Sequence, residues 1–320
     1  MIRIYGLPGE RYSQSPASHH SFTDMSHPAT TVVQTYDPTP STPRLRLPPG
    51  ACDSHVHVFG PAAEFAFAPQ RSFTPADAGK ATLFALHRQL GISRCVIVQS
   101  ACHGFDNAVV EDAIAAGGGN YLGVALVPHT VDSRELRRLA GAGMRGVRFN
   151  FMKHLASTAS VDDVLALTPH LADAGMHLQV HFESSLVHTL GPRLAKSAVP
   201  VVIDHMGRVD ATLGAGHPDF AALERLLDNP LFHVKVSGID RIDATPPYAH
   251  GIRLARRLLE RAPERCLWGT DWPHPNHTHV PDDGRLVDAL AGIAPTPSVL
   301  QALLVDNPER LYRFSQGISG

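Results

Sequence analysis

From residue 50 onward, short apolar runs rich in β-branched residues alternate with longer stretches whose apolar positions recur every three or four residues. The short runs fall at 52–59, 94–100, 121–127, 145–151, 177–182, 199–205, 232–238 and 265–271, and each predicts a strand. Between them, AGKATLFALHRQLG, DSRELRRLAGAG, DDVLALTPHLADAG and AHGIRLARRLLERAP have helical spacing. Several close on Gly, as helix C-termini prefer. Strand and helix in alternation imply an α/β fold built of βαβ units on a parallel sheet. Eight such units in about 265 residues match a (β/α)8 TIM barrel, whose usual size is about 250 residues. A doubly wound open sheet is the alternative, weakened because no GxGxxG follows the first strand. Residues 1–49 break the pattern with Ser-, Thr-, Pro- and His-rich runs such as SQSPASHHS and PTPSTPRLRLPPG. They read as a flexible or surface-draped N-terminal extension, leaving 50–320 as one catalytic domain.

A parallel barrel keeps its chemistry at the C-terminal ends of its strands, so the polar residues at those ends decide what it does. The first strand ends in His55-Val56-His57, whose two imidazoles share one side at period 2. In HLQVHF, alternation predicts His177, Gln179 and His181 inward and Leu178, Val180 and Phe182 under the helices. His205, read with the parity of Val201 and Ile203, faces the same mouth, and Asp271 arrives there after the last strand. Imidazole and carboxylate donors suit zinc, and three or four of them with an open position make a hydrolytic site. The candidate donors for such an ion are therefore His55, His57, His181, His205 and Asp271. Arg148 shares inward parity with Asn150 and suits a carboxylate or sulfonate. Arg241, just beyond a strand, is a second candidate for an anionic group; for Arg148 and Arg241 a structural salt bridge is the alternative, while Arg208, just beyond His205, is a more ambiguous substrate contact. Lys235 points inward and needs a partner that the sequence does not name.

Composition narrows the setting. The chain has 320 residues, 43% of them hydrophobic, enough for a sizeable core. Its 28 basic and 30 acidic side chains leave a net charge of -2 and no electrostatic footprint for nucleic acid. No apolar run approaches the ~20 residues that cross a bilayer, so no membrane partner is expected. The four cysteines form no CxxC pair, which predicts reduced core thiols rather than disulfides or a thiolate zinc site. The start lacks the basic-then-apolar layout of a signal peptide, so a cytoplasmic enzyme is the expectation. A homo-oligomer is compatible with all of this.

Taken together, CDSHVHVFGP, RSFTP, ALHRQLGISRCVIVQS, GVRFNF, VVIDHMGR, LWGTDWPHPN and LLVDNPERLY resemble the amidohydrolase superfamily over roughly residues 50–315. Within it the chain is similar to the 2-pyrone-4,6-dicarboxylate hydrolase and 4-sulfomuconolactone hydrolase-like lactonases. The resemblance implies a (β/α)8 barrel and water attack on a lactone carbonyl, with Asp271 as base. It implies that Arg148 and Arg241 bind the substrate's acidic groups, and that Ser100 and His154 stand at substrate-contacting positions. The dicarboxylate enzymes have a tyrosine where this chain has His181, and they work without metal. His181 completes the ligand set His55, His57, His181 and Asp271 of the metal-dependent relatives, with His205 as a catalytic partner that steadies the oxyanion or the water; the expectation turns toward one divalent metal, zinc first and manganese second, with a metal-free mechanism left open. Phe73, Lys153 and His154, and the Ser100-Ala101 pair depart from the dicarboxylate pattern, so the expected substrate is a related anionic lactone of aromatic-compound breakdown. A metal-dependent decarboxylase of an unsaturated or aromatic acid is the alternative, and a non-enzymatic binding barrel a third reading.

Overall fold

The computed structural model describes residues 31–152, 159–277 and 279–314. Eight parallel strands follow one another in chain order. They are β1 (Cys52–Val56), β2 (Arg94–Val98), β3 (Tyr121–Ala125), β4 (Met144–Phe151), β5 (His177–Phe182), β6 (Val201–Ile203), β7 (Phe232–Lys235) and β8 (Cys266–Leu267). Backbone hydrogen bonds close the ring between its first and last members: Ser54 N donates to Trp268 O, Asp271 N to His55 O, and His57 N to Trp272 O. The four helical patterns form the helices Lys80–Leu90, Ser133–Gly141, Val161–Asp173 and Ala249–Arg261. The expected (β/α)8 barrel is thus the observed one. No helix among the described residues is long and apolar enough to cross a membrane, and all four cysteines are free and buried.

Side-chain alternation divides the apolar residues into two clusters. Val147, Phe149, Leu178, Val180, Phe182, Val201 and Ile203 belong to the large core between strands and helices. Val96, Val98, Leu122, Val124, Val202 and Leu267 form a second cluster inside the ring, with Tyr312 and Phe314. Tyr312 packs on His177 and Phe314 on Arg94, which open β5 and β2, so these two aromatics close the N-terminal end. The opposite end is left to polar side chains.

Two irregularities aim the polar residues there. The pairing of β1 with β2 shifts register between Asp53 and Val56. Cys52 consequently lies with the inner cluster while Val56 and Val58 lie with the outer one, and His55 and His57 are turned inward. On β6 the inner residue is Val202, so the parity argued for His205 from Val201 and Ile203 does not hold. Those two face the helices, and alternation would put His205 there too. Instead the strand ends, and His205 (φ 47), Met206 (φ 52), Gly207 (φ 60) and Arg208 (φ 57) make a left-handed turn that brings the His205 ring back over the mouth. Gly269 allows the closure: a Cβ there would lie 2.5 Å from His55 N and 2.8 Å from Asp53 Oδ1.

Residues 31–49 run from this end down the side of the barrel to the start of β1. Val32–Val33 pairs with Thr74–Pro75, Tyr36 stacks edge-on against Trp272 at 5.2 Å, and Ser41 and Arg44 bind Asp282 and Asp288.

Candidate active site

Asp271 stands at the centre of the mouth. Its Oδ1 faces Nε2 of His57 at 3.5 Å and Nε2 of His55 and His205 at 3.7 Å each. Its Oδ2 accepts from Arg241 Nε at 2.5 Å, and Arg241 Nη2 also donates to Pro275 O. Burial pushes the Asp271 carboxyl up, but the Arg241 guanidinium beside it outweighs this and holds the group well below the usual carboxylate range. Burial pushes the imidazoles down: His55 to about 3, His57 below its ordinary value, and His205 well below it. Near neutral pH the centre is one carboxylate among uncharged rings.

The partners of each ring fix what it presents. His57 Nδ1 lies 2.6 Å from Val98 O, which only accepts, so Nδ1 carries the proton and Nε2 offers a lone pair. His205 Nδ1 is 3.0 Å from Ser237 Oγ. His55 Nδ1 sits between Asp204 Oδ1 at 3.3 Å and Lys235 Nζ at 3.2 Å. It donates to the one or accepts from the other; donation to Asp204 is the tautomer that leaves Nε2 as a lone pair.

These donors fit a cation. His55 Nε2 and Asp271 Oδ1 are buried without a hydrogen bond, and the donor atoms of His55, His57 and Asp271 lie within 4.8 Å of one another. Zinc bonds of about 2.0–2.1 Å set neighbouring tetrahedral ligands roughly 3.3 Å apart, near the 3.5 Å between His57 and Asp271. His55, Asp204 and His205 form an overlapping group. His181 does not join the tight group. Its ring packs on His205 with centroids 5.5 Å apart, it lines the same cavity, and both its nitrogens lack partners.

The cavity is walled by Arg148, Arg208 and Arg241, with Asp271 as its one lining carboxylate among the described residues, and Ser100 and Phe73 complete one side. The three arginines differ. Arg241 is committed to Asp271 and Pro275, which is the salt bridge its sequence position left open. Arg148 gives Nε to Asp204 Oδ2 at 2.8 Å. Arg208 has no ion-pair partner among the described residues, and burial beside Arg241 lowers its pKa to about 10. Ser100 Oγ accepts from Cys102 N, which leaves its hydroxyl proton for another acceptor. His154, with Lys153, lies outside the described residues.

Below the mouth lies a network that pattern reading did not assign. Asp204 Oδ2 takes Arg148 Nε and Gln179 Nε2, while Lys235 Nζ donates to Gln179 Oε1 at 2.8 Å and approaches Asp204 Oδ1 at 3.6 Å. The missing partner of Lys235 is therefore Asp204 on the adjacent strand end. The signal was present in the alternation, because Asp204 shares the inner parity of Val202.

Known proteins with this layout are close in sequence. The amidohydrolase family profile matches residues 52–314. The chain is 45% identical over 284 residues to a 2-pyrone-4,6-dicarboxylate hydrolase of Comamonas testosteroni, covering 85% of this chain and 93% of that one. It is 38% identical to a 4-sulfomuconolactone hydrolase of Hydrogenophaga intermedia, covering 84% and 90%. A solved apo structure from Agrobacterium tumefaciens superposes with a TM-score of 0.75 at 28% identity, over 85% of this chain and 98% of that one. The chain belongs to the amidohydrolase family.

Proposed function

We propose that this amidohydrolase opens an anionic lactone, of the 2-pyrone-4,6-dicarboxylate or muconolactone type, by hydrolysis. The observation that carries the reading is Asp271 Oδ1, a buried carboxylate oxygen with no hydrogen bond, facing three neutral imidazoles in a cavity walled by three arginines. The hydrolase relatives act on acidic lactones by name, and the cavity's excess of positive charge suits such a substrate.

Arg208 and Arg148 bind the acidic groups, since a guanidinium matches carboxylate or sulfonate through paired N–H donors. Ser100 adds a hydroxyl donor on the same wall. His205, with Ser237 on Nδ1, carries its proton on Nε2 and donates it to the lactone carbonyl oxygen, where charge develops as water adds. Asp271 takes the water's proton at Oδ1 and returns it to the ring oxygen as the C–O bond breaks, so the net reaction adds one water. Arg241 holds Oδ2 and keeps the carboxylate ionised until that transfer. His55, His57 and Asp271, with His181 on the same cavity wall, are the residues that would hold a divalent cation, zinc before manganese. When bound, such an ion supplies acidification of water and polarisation of the carbonyl.

The test is a ring-opening assay on both acidic lactones and on a neutral one, with Asp271→Asn beside the wild type. Hydrolysis of an acidic lactone, lost in the variant while the circular dichroism spectrum is kept, is the expected result. An unchanged rate in Asp271→Asn, or carbon dioxide release in place of ring opening, refutes it.

A further inference from the structure

A second group of cation donors lies beside the mouth and has no part in the reaction above. Asp240 sits after β7 in the short helix Ile239–Ile242, and His277 and His279 follow β8 as a second His-x-His spacing. Asp240 Oδ2 is 3.1 Å from His277 Nδ1 and 3.3 Å from His279 Nε2. Yet neither oxygen of this carboxylate, 1% exposed, makes a hydrogen bond, and His279 Nε2 makes none either. The atoms are close without being aligned for donation to one another. Donors that converge on a shared point are arranged in this way, and the separations match the roughly 3.3 Å between neighbouring ligands of a tetrahedral zinc ion. Hydrogen bonding alone explains less, because it leaves Asp240 Oδ2 buried beside two imidazole nitrogens without a bond to either. Arg241, the next residue, is already neutralised by Asp271.

We propose that Asp240, His277 and His279 form a second divalent-cation site, separate from the His55–His57–Asp271 group and suited by its two imidazoles and one carboxylate to zinc or a similar first-row ion. His279 is 32% exposed and gives the ion its entry from solvent. His277 couples the site to the mouth. Its Nδ1 faces Asp240, and its Nε2 lies 3.6 Å from Asp271 Oδ2. With Nδ1 on the cation, the ring proton sits on Nε2 and points at Asp271, the carboxylate–histidine–metal arrangement that orients a ligand. Occupancy of this site therefore holds Asp271 from the side away from the three mouth imidazoles.

The experiment titrates chelator-treated full-length protein with Co2+, following visible d–d absorption and calorimetric stoichiometry, with zinc content measured after reconstitution. About two equivalents per chain are expected for the wild type, and about one for His279→Ala, Asp240→Asn or His57→Ala. His279→Ala removes a partly exposed side chain, and its circular dichroism spectrum verifies the fold. Wild-type stoichiometry that survives both His279→Ala and Asp240→Asn overturns the proposal, whether it is one or two. A single equivalent lost in His279→Ala but kept in His57→Ala upholds this site and removes the one at the mouth.

Discussion

Asp204→Asn separates the network below the mouth from simple filling of the barrel. Asp204 is completely buried and serves Arg148 Nε at 2.8 Å, Gln179 Nε2 at 3.1 Å, His55 Nδ1 at 3.3 Å and Lys235 Nζ at 3.6 Å. Asparagine keeps the volume, removes the charge and replaces one acceptor with a donor. Arg148 and Lys235 then lose a shared counter-ion. Removing one member of a buried ion pair costs about 3–5 kcal/mol. Lys235, which burial has already lowered to about 8, can shed its proton, so the low end applies, about 3 kcal/mol. For a domain of this size each kcal/mol moves the melting midpoint by about 2 °C, giving a drop of about 6 °C. The pH dependence has a definite sign. Burial raises the Asp204 pKa, but Arg148, His55 and Lys235 bring it well below the usual value in the folded state. Its contribution is thus complete above the unfolded carboxyl value of about 3.9 and is lost as pH falls toward the folded one. The gap between wild type and variant should be full near neutral pH and narrow below about pH 4. His55 Nδ1 also loses the carboxylate that favours the tautomer with a free Nε2 lone pair, and losing such a partner lowers metal affinity about 10–100-fold at comparable sites. Thermal melts across that pH range, paired with zinc affinity, check both effects. Equal midpoints at neutral pH, or a gap that widens toward acid, would refute the account.

Three further outcomes follow from the same geometry. Arg208→Met should raise KM for a doubly acidic lactone by about 10–100-fold, the worth of one charge-assisted hydrogen bond, and leave a neutral lactone nearly unaffected; equal effects would remove Arg208 from substrate recognition. Activity should show no fall centred on the ordinary histidine pKa of about 6.5, because Asp271 stays ionised and burial shifts His55, His57 and His205 below that value; such a fall would contradict the assigned protonation states. Gly269→Ala should lower stability by about 1–3 kcal/mol or prevent folding, because its Cβ would meet His55 N, His55 Cβ and Asp53 Oδ1, all held in the β1–β8 closure; a denaturant midpoint equal to wild type would show that the closure yields.

What the amino-acid pattern disclosed depends on how each strand is built. β5 is legible throughout because its six residues alternate without interruption, with His177, Gln179 and His181 inside and three large apolar side chains outside. β1 and β6 are not, because each changes face by a local backbone event. A register shift turns His55 and His57 inward, and a left-handed turn brings back His205, which alternation would have sent under the helices. The place of His205 at the mouth was thus expected through a parity that the strand does not have. The arginines show a different limit. Arg148, Arg208 and Arg241 all reach the cavity, but which of them is neutralised depends on Asp204 and Asp271, and Asp271 reaches Arg241 from the end of the neighbouring strand β8. Periodicity reports the face on which a residue lies; it carries no information about the charge that meets it there. That is why Lys235 could be placed inside without a partner, and why Asp204, on an inner position of the neighbouring strand end, had to be its counter-ion. A buried ammonium in a closed barrel leaves few carboxylates within reach, and only one of them also holds His55 and Arg148.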